Sequence, residues 1–298
     1  MPREDGFLRP ALVEALESVS DVVPGIGGAF VANLKGTIST LCVPVTLAMA
    51  SAQQWRFRQL SIAEHIRSGA DPDANPDDPA LIRARKQAKD KWEAEARSTV
   101  GIDHMADSAC EFLLSLHEQE SVRIAAKELL RQGTALLWSA FEILSRDLFA
   151  CLVNSDPMLG KLLLESPDGR RVFQLKALEL DTLASYGFNI SSSLGSILVS
   201  RQDLSDLRTI KCVYGLLFPE NAEVREALAT RELWMLAQRR HLIVHNRGIV
   251  DQRYLDNTGD RVAVGDELQL DPNVVEQYAF VMQTAAAAMV AAVGNKLK

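Results

Sequence analysis

Cysteine is scarce in this chain and never clustered. Cys42, Cys110, Cys151 and Cys212 stand far apart, with no CxxC pair and no Cys/His group at zinc spacing. That excludes a zinc ribbon or a disulfide-stapled scaffold and predicts reduced, buried thiols. An excess of positive charge is missing too. Lys and Arg number 32 against 39 Asp and Glu, for a net charge of -7. No global basic field therefore draws in nucleic acid or an anionic membrane, and any phosphate-binding surface has to be a local patch. No internal repeat runs through the 298 residues, which excludes a solenoid. No cleavable apolar core follows Arg3, Glu4 and Asp5, so a cytoplasmic location is expected. Pro24-Gly25-Ile26-Gly27-Gly28 lacks the Gly-Lys-Ser/Thr ending of a phosphate loop and reads as a turn between helices.

What is present is a helix-forming chain with 47% hydrophobic residues, enough for one large or two modest cores. From Gly36 to Trp55 there is no charged residue. Pro44 and several Thr, Ser and Gln make this run poor for crossing a bilayer, so it reads as a buried helical hairpin. The acidic, Pro-rich stretch Ser68 to Pro79 reads as an exposed loop. Helices are expected at 81–97 and 102–119, within an N-terminal helical region 1–120. A second domain, 121–298, opens with a long core helix at 122–153, its apolar positions recurring at steps of three and four. Helices at 172–183, 205–216 and 222–245 follow, then a β-hairpin at 261–270 around Gly265-Asp266. A last Ala-rich helix, capped by Asp271-Pro272-Asn273, runs to Lys296. The fold class is thus mostly α: a helical bundle with a small β-hairpin, preceded by further helices.

The chemistry is concentrated in Arg239-Arg240-His241-Leu242-Ile243-Val244-His245-Asn246-Arg247-Gly248. Histidine both takes and gives a proton near neutral pH, and arginine holds a phosphate through paired hydrogen bonds. At about 100° per residue, Leu233, Leu236, Ala237, Arg240, Ile243 and Val244 share an apolar stripe, so Arg240 stands where a leucine is expected and needs an acceptor. Trp234, Gln238, His241 and His245 form a polar stripe beside it. Arg240 and His245 differ by roughly 140° in a straight helix, so their meeting calls for a helix end near His245 or for a second subunit. Leu242 and Met235 lie opposite the apolar stripe and are expected to offer partner-covered surface. Asn246-Arg247-Gly248 reads as a helix stop.

Arg240-His241-x-x-x-His245 followed by Asn246-x-Gly248 resembles the R-x(4-6)-H signature of HEPN domains. The resemblance covers 121–298 as a helix order and is close only around 231–255. It implies an α-helical bundle acting as a metal-independent endoribonuclease, without cofactor, of the kind found in RNA-cutting toxins and phage-defence effectors. It also implies a homodimer whose cleft joins the Arg and His of both subunits, and a restraining antitoxin or defence partner. A carboxylate from the first core helix often joins such a site, and Glu142 in Trp138-Ser139-Ala140-Phe141-Glu142 matches that role.

On that reading His245 is the general acid/base and His241 a second proton carrier or substrate contact. Arg240 holds the phosphate, Asn246 orients the imidazole or the phosphate, and Glu142 fixes Arg240. Arg231, Arg239, Arg247 and Arg253 supply RNA-backbone contacts. Two further classes fit the same residues: a non-catalytic nucleotide- or RNA-binding or dimerisation module, and a membrane-associated effector inserting 26–52.

Overall fold

The computed structural model of the chain describes residues 10–18, 25–69, 75, 77–174 and 180–298. Among them, α1 (Pro10–Ser18), α2 (Ile26–Ser68), α3 (Pro79–Arg97), α4 (Thr99–His117) and α5 (Glu120–Ser155) come first. The shorter α6 (Pro157–Glu165), α7 (Pro167–Phe173), α8 (Leu180–Ser185) and α9 (Leu194–Arg201) follow. The chain then forms α10 (Leu207–Leu217), α11 (Ala222–Ala229), α12 (Arg231–Asn246), α13 (Gln252–Thr258) and α14 (Pro272–Leu297). No β-strand occurs among the described residues.

The described residues divide into two compact units: those of 42–126, and those of 10–41 together with 127–298. In the first unit Asp78 caps α3 by accepting from Ala80 N, and α3 packs against α4. The guanidinium of Arg56 on α2 grips Glu95 on α3 through Nε and Nη2.

The expected hairpin at 36–55 is one continuous helix instead. No residue in that run stops a helix. Thr37, Thr40 and Thr46 turn their hydroxyls back onto the carbonyls of Asn33, Gly36 and Cys42, so they satisfy themselves within the helix. Pro44 sits inside α2 without ending it. Both α2 and α14 are long and apolar enough to cross a membrane by length and composition. The apolar window of α14 is 61% buried and that of α2 33%. Val43, Leu47 and Trp55 of α2 are exposed.

The second unit is built on α5 and α14. Leu137, Phe141, Leu144 and Leu148 of α5 are fully buried, whereas its first turns are exposed, Ala126 included. Gly195 lets α9 come close, since a Cβ there would lie 2.5 Å from the carbonyl oxygen of Ala150 on α5. Tyr214 of α10 is fully buried and donates its hydroxyl to the carbonyl of Ser145. Asp271 caps α14, which packs against α1, α11 and α12.

Other expectations fail at particular residues. The helix expected at 172–183 ends at Gln174, which is left-handed (φ 42°); 175–179 lie outside the described residues. The helix expected at 222–245 is cut at Thr230, whose extended ψ of 141° separates α11 from α12. The β-hairpin at 261–270 does not form. Its alternating residues pair with the segment after α12 instead: Ile249 bridges Glu267, Val250 N donates to Asp266 O, and Leu268 N donates to Gly248 O. Leu268 is buried by that pairing while Val262 and Val264 stay in solvent. Of the thiols, Cys42 is buried, Cys151 and Cys212 are half-buried, and Cys110 is exposed.

Candidate functional site

The end of α12 sets the geometry. Arg247 takes a left-handed conformation (φ 53°) and Gly248 another (φ 77°), and Gly248 N donates to the carbonyl of Leu242. Two successive positive-φ residues stop the helix, and only the second is glycine, the residue that adopts that backbone without strain. Asn246 Nδ2 donates to the carbonyl of Ile249, which fixes the reversal. The chain then folds back, and Asp251 caps α13 by accepting from Tyr254 N.

That return path buries Leu242, which packs with Ile243, Val250, Tyr254 and Leu268, Met235 lying against the same cluster. The Leu242 and Met235 side is thus core, not a free apolar face. Val244, placed on the apolar stripe by helical angle, is 50% exposed. A helical wheel gives each side chain's direction but not the loop that will cover it.

Beside this cluster a cavity of about 320 Å³ opens between the start of α10, α12 and α13. The polar stripe Trp234, Gln238, His241 and His245 lines it, and so does Arg240. The 140° between Arg240 and His245 does not keep them from lining the same cavity. One chain brings Arg240, His241 and His245 to one cavity. The two imidazole rings lie 4.5 Å apart, tilted by 46°. Burial, then His245 and the guanidiniums of Arg253 and Arg240, push the His241 pKa below its ordinary value, against the pull of Asp251.

Glu142 stands behind Arg240, outside the cavity wall. Its Oε2 lies 3.6 Å from Arg240 Nη2, and the two side chains are 23% and 24% exposed. This is an ion pair at long range rather than a clamp, and Arg240 Nε is buried with no hydrogen-bond partner. Burial pushes the Glu142 carboxyl above its ordinary range; Arg240 pulls it down, Asp203 pushes it up and Arg146 pulls it down.

The four expected backbone-contact arginines part company. Arg253 lines the cavity. Arg231 is exposed at the far end of α12, and Arg247 is exposed at the helix stop; neither forms part of the cavity wall. Arg239 is a structural residue. Its Nε donates to Tyr254 Oη, its Nη2 pairs with Asp260 Oδ2 at 3.2 Å, and its guanidinium lies 5.9 Å from the Tyr278 ring. Adjacent arginines on a helix point about 100° apart, so Arg239 goes into the domain where Arg240 goes to the cavity.

Sequence reasoning missed Asp206, Arg208 and Asn257 in the wall. Asp206 caps α10 by accepting from Arg208 N and Thr209 N. Its position before an apolar-periodic helix marks it as a cap, yet nothing in the sequence brings that helix start to α12. Arg208 lies 5.5 Å from the Trp234 ring centroid. Trp138, from α5, closes the floor and donates Nε1 to the carbonyl of Ser205. No protein-family model, no curated protein and no solved structure matches this chain.

Proposed function

We propose that the chain is a metal-independent endoribonuclease of HEPN type that cuts RNA by attack of its own 2′-hydroxyl. One observation carries the reading: Arg240, His241 and His245 line a single cavity that also holds Arg208 and Arg253. RNA supplies the nucleophile, so the protein has only to move two protons and neutralise the phosphorane oxygens. His241, whose pKa desolvation and the cations around it hold below the ordinary histidine value, takes the 2′-hydroxyl proton. His245 gives a proton to the leaving 5′-oxygen, and Arg240 holds the phosphate with Glu142 behind it. Asn246, whose amide is bonded to the helix stop, positions His245 rather than substrate.

The cytoplasmic toxin or phage-defence role, with an antitoxin or defence partner, comes with the same resemblance. A homodimer would close over the exposed Val244 and Ile249 beside the cavity, since Leu242 and Met235 are already covered. The test is cleavage of single-stranded RNA in EDTA. Wild type should yield 2′,3′-cyclic phosphate ends, and His245→Ala should lose at least about 100-fold in rate without losing its fold. Equal cleavage by the two proteins overturns the proposal.

A second reading, a membrane-associated effector, draws on the exposed Val43, Leu47 and Trp55 of α2. Flotation of the full chain with anionic liposomes tests it, and protein left at the bottom of the gradient rejects it.

A further inference from the structure

We infer that the cavity seats an unpaired nucleobase beside the phosphate site, stacked on Trp234 and read along its edge by Gln238 and Asn257. The inference rests on the ribonuclease reading of this cavity and names the form of RNA that enters it.

Trp234 lies on the same stripe of α12 as the two histidines, seven residues before His241 and so about 10 Å along the helix axis. That is the space of a nucleotide. Its indole is half-buried in the cavity wall, and its Nε1 donates to the carbonyl of Asn257, which fixes the plane of the ring. The Arg208 guanidinium lies over the indole, 5.5 Å from the ring centroid, and Lys211 Nζ lies over it at 6.0 Å. A fixed indole in the cavity wall, with cations lying over its ring, combines the two elements that hold single strands: an aromatic face on which a base stacks by packing against or displacing the guanidinium, and positive charge for the backbone.

The amides beside it add a readout. Asn257 Nδ2 donates to Gln238 Oε1 at 3.2 Å. This leaves the Gln238 amide nitrogen as a donor and the Asn257 amide oxygen as an acceptor, neither with another partner among the described residues. Every base presents a donor next to an acceptor on its Watson–Crick edge, and only an unpaired base has that edge free. A base inside a duplex also has both faces stacked and cannot reach Trp234. The site therefore requires the nucleotide beside the scissile bond to be single-stranded.

The experiment uses the full chain and short dye-labelled RNAs carrying 2′-O-methyl groups, which remove the nucleophile so that binding is read without cleavage. Fluorescence anisotropy should show the single strand binding at least about tenfold more tightly than a hairpin of the same length. Trp234→Leu should lose about tenfold on the single strand and little on the hairpin, and Trp234→Phe should keep most of the affinity. Gln238→Glu, which replaces the donor by an acceptor, should change the ranking among the four homopolymers. Equal affinity for strand and hairpin, or wild-type affinity in a folded Trp234→Leu or Gln238→Glu protein, overturns the base site. Cleavage of unmodified RNA, measured in parallel, separates the two ideas. His245-dependent cutting without any Trp234 effect rejects only the base site, and the expected binding pattern without cutting rejects the nuclease and keeps the base site.

Discussion

Replacing Arg239 with alanine should destabilise the protein by about 2–3 kcal/mol, although its neighbour in sequence is a surface-facing site residue. The side chain is 15% exposed and pairs with Asp260, itself 27% exposed. Two hydrogen bonds of a charged group contribute about 1 kcal/mol each once the partial exposure of the pair is discounted. The contact with Tyr278 adds about 0.5 kcal/mol. Asp260 keeps the Tyr254 hydroxyl at 2.7 Å and the backbone N–H of Arg261, so the loss stays below the 3–5 kcal/mol or so of stranding a fully buried ion. Urea unfolding followed by far-UV circular dichroism measures the effect, with Arg247→Ala as the exposed control, expected within about 0.5 kcal/mol of wild type. The same pair predicts an acid limb. Burial works to raise the Asp260 pKa, but the Tyr254 hydroxyl and the Arg239 guanidinium outweigh it and hold the carboxyl below its ordinary value. The unfolded chain therefore binds the proton first as pH falls. The stabilisation is complete above the ordinary aspartate value and is lost as pH drops through the depressed folded one. Asp260→Asn should flatten that limb. An Arg239→Ala protein within about 0.5 kcal/mol of wild type would refute the burial of the guanidinium and the reasoning built on it.

Gly248→Ala should cost more than Gly259→Ala, by roughly 1 kcal/mol in the same unfolding assay, because both glycines have positive φ but only at Gly248 would a Cβ meet a neighbour, Arg131 Nε at 3.1 Å. Equal costs would remove the steric part of the argument. His241 should titrate below the ordinary histidine value by NMR, with its pKa rising towards that value in Arg253→Gln as one of the cations acting on it is removed. A pKa unmoved by that substitution would show that Arg253 does not act on His241.

Several features of this fold are written locally. Asn221 and Asp271 each precede a periodic run and each caps the helix that follows. The stripe of Trp234, Gln238, His241 and His245 is likewise a matter of angle along one helix, and all four reach the same cavity. Arg240 off the apolar pattern could be read from the same periodicity, whereas Glu142 entered only through the resemblance and stands 3.6 Å from it as a loose ion pair. What was not legible depends on partners distant in sequence. Residues 261–270 alternate as a hairpin does, yet their mate is the segment after α12, so alternation identified an extended segment and misassigned its neighbour. The break at Thr230 leaves the apolar period intact on both sides, and only the change of direction between α11 and α12 reveals it. Arg239 and Arg240 look alike in sequence. Tyr254, Asp260 and Tyr278, all downstream, decide that the first is structural.

The stop after α12 also bears on how distant relatives of this chain could be recognised. Arg131 on α5 lies against Gly248 and pairs through Nη2 with Glu267, while Lys127 one turn earlier holds the same carboxylate. These contacts join three stretches of chain that are far apart in sequence and hold the hinge that presents His245. Arginine and histidine at short spacing recur in unrelated sequences, whereas an arginine, a glycine and a glutamate brought together from three distant stretches are a rarer coincidence. A relative whose sequence has drifted beyond ordinary similarity should still keep those three positions as a covarying set, which makes the hinge a better signature of common descent than the histidines it carries.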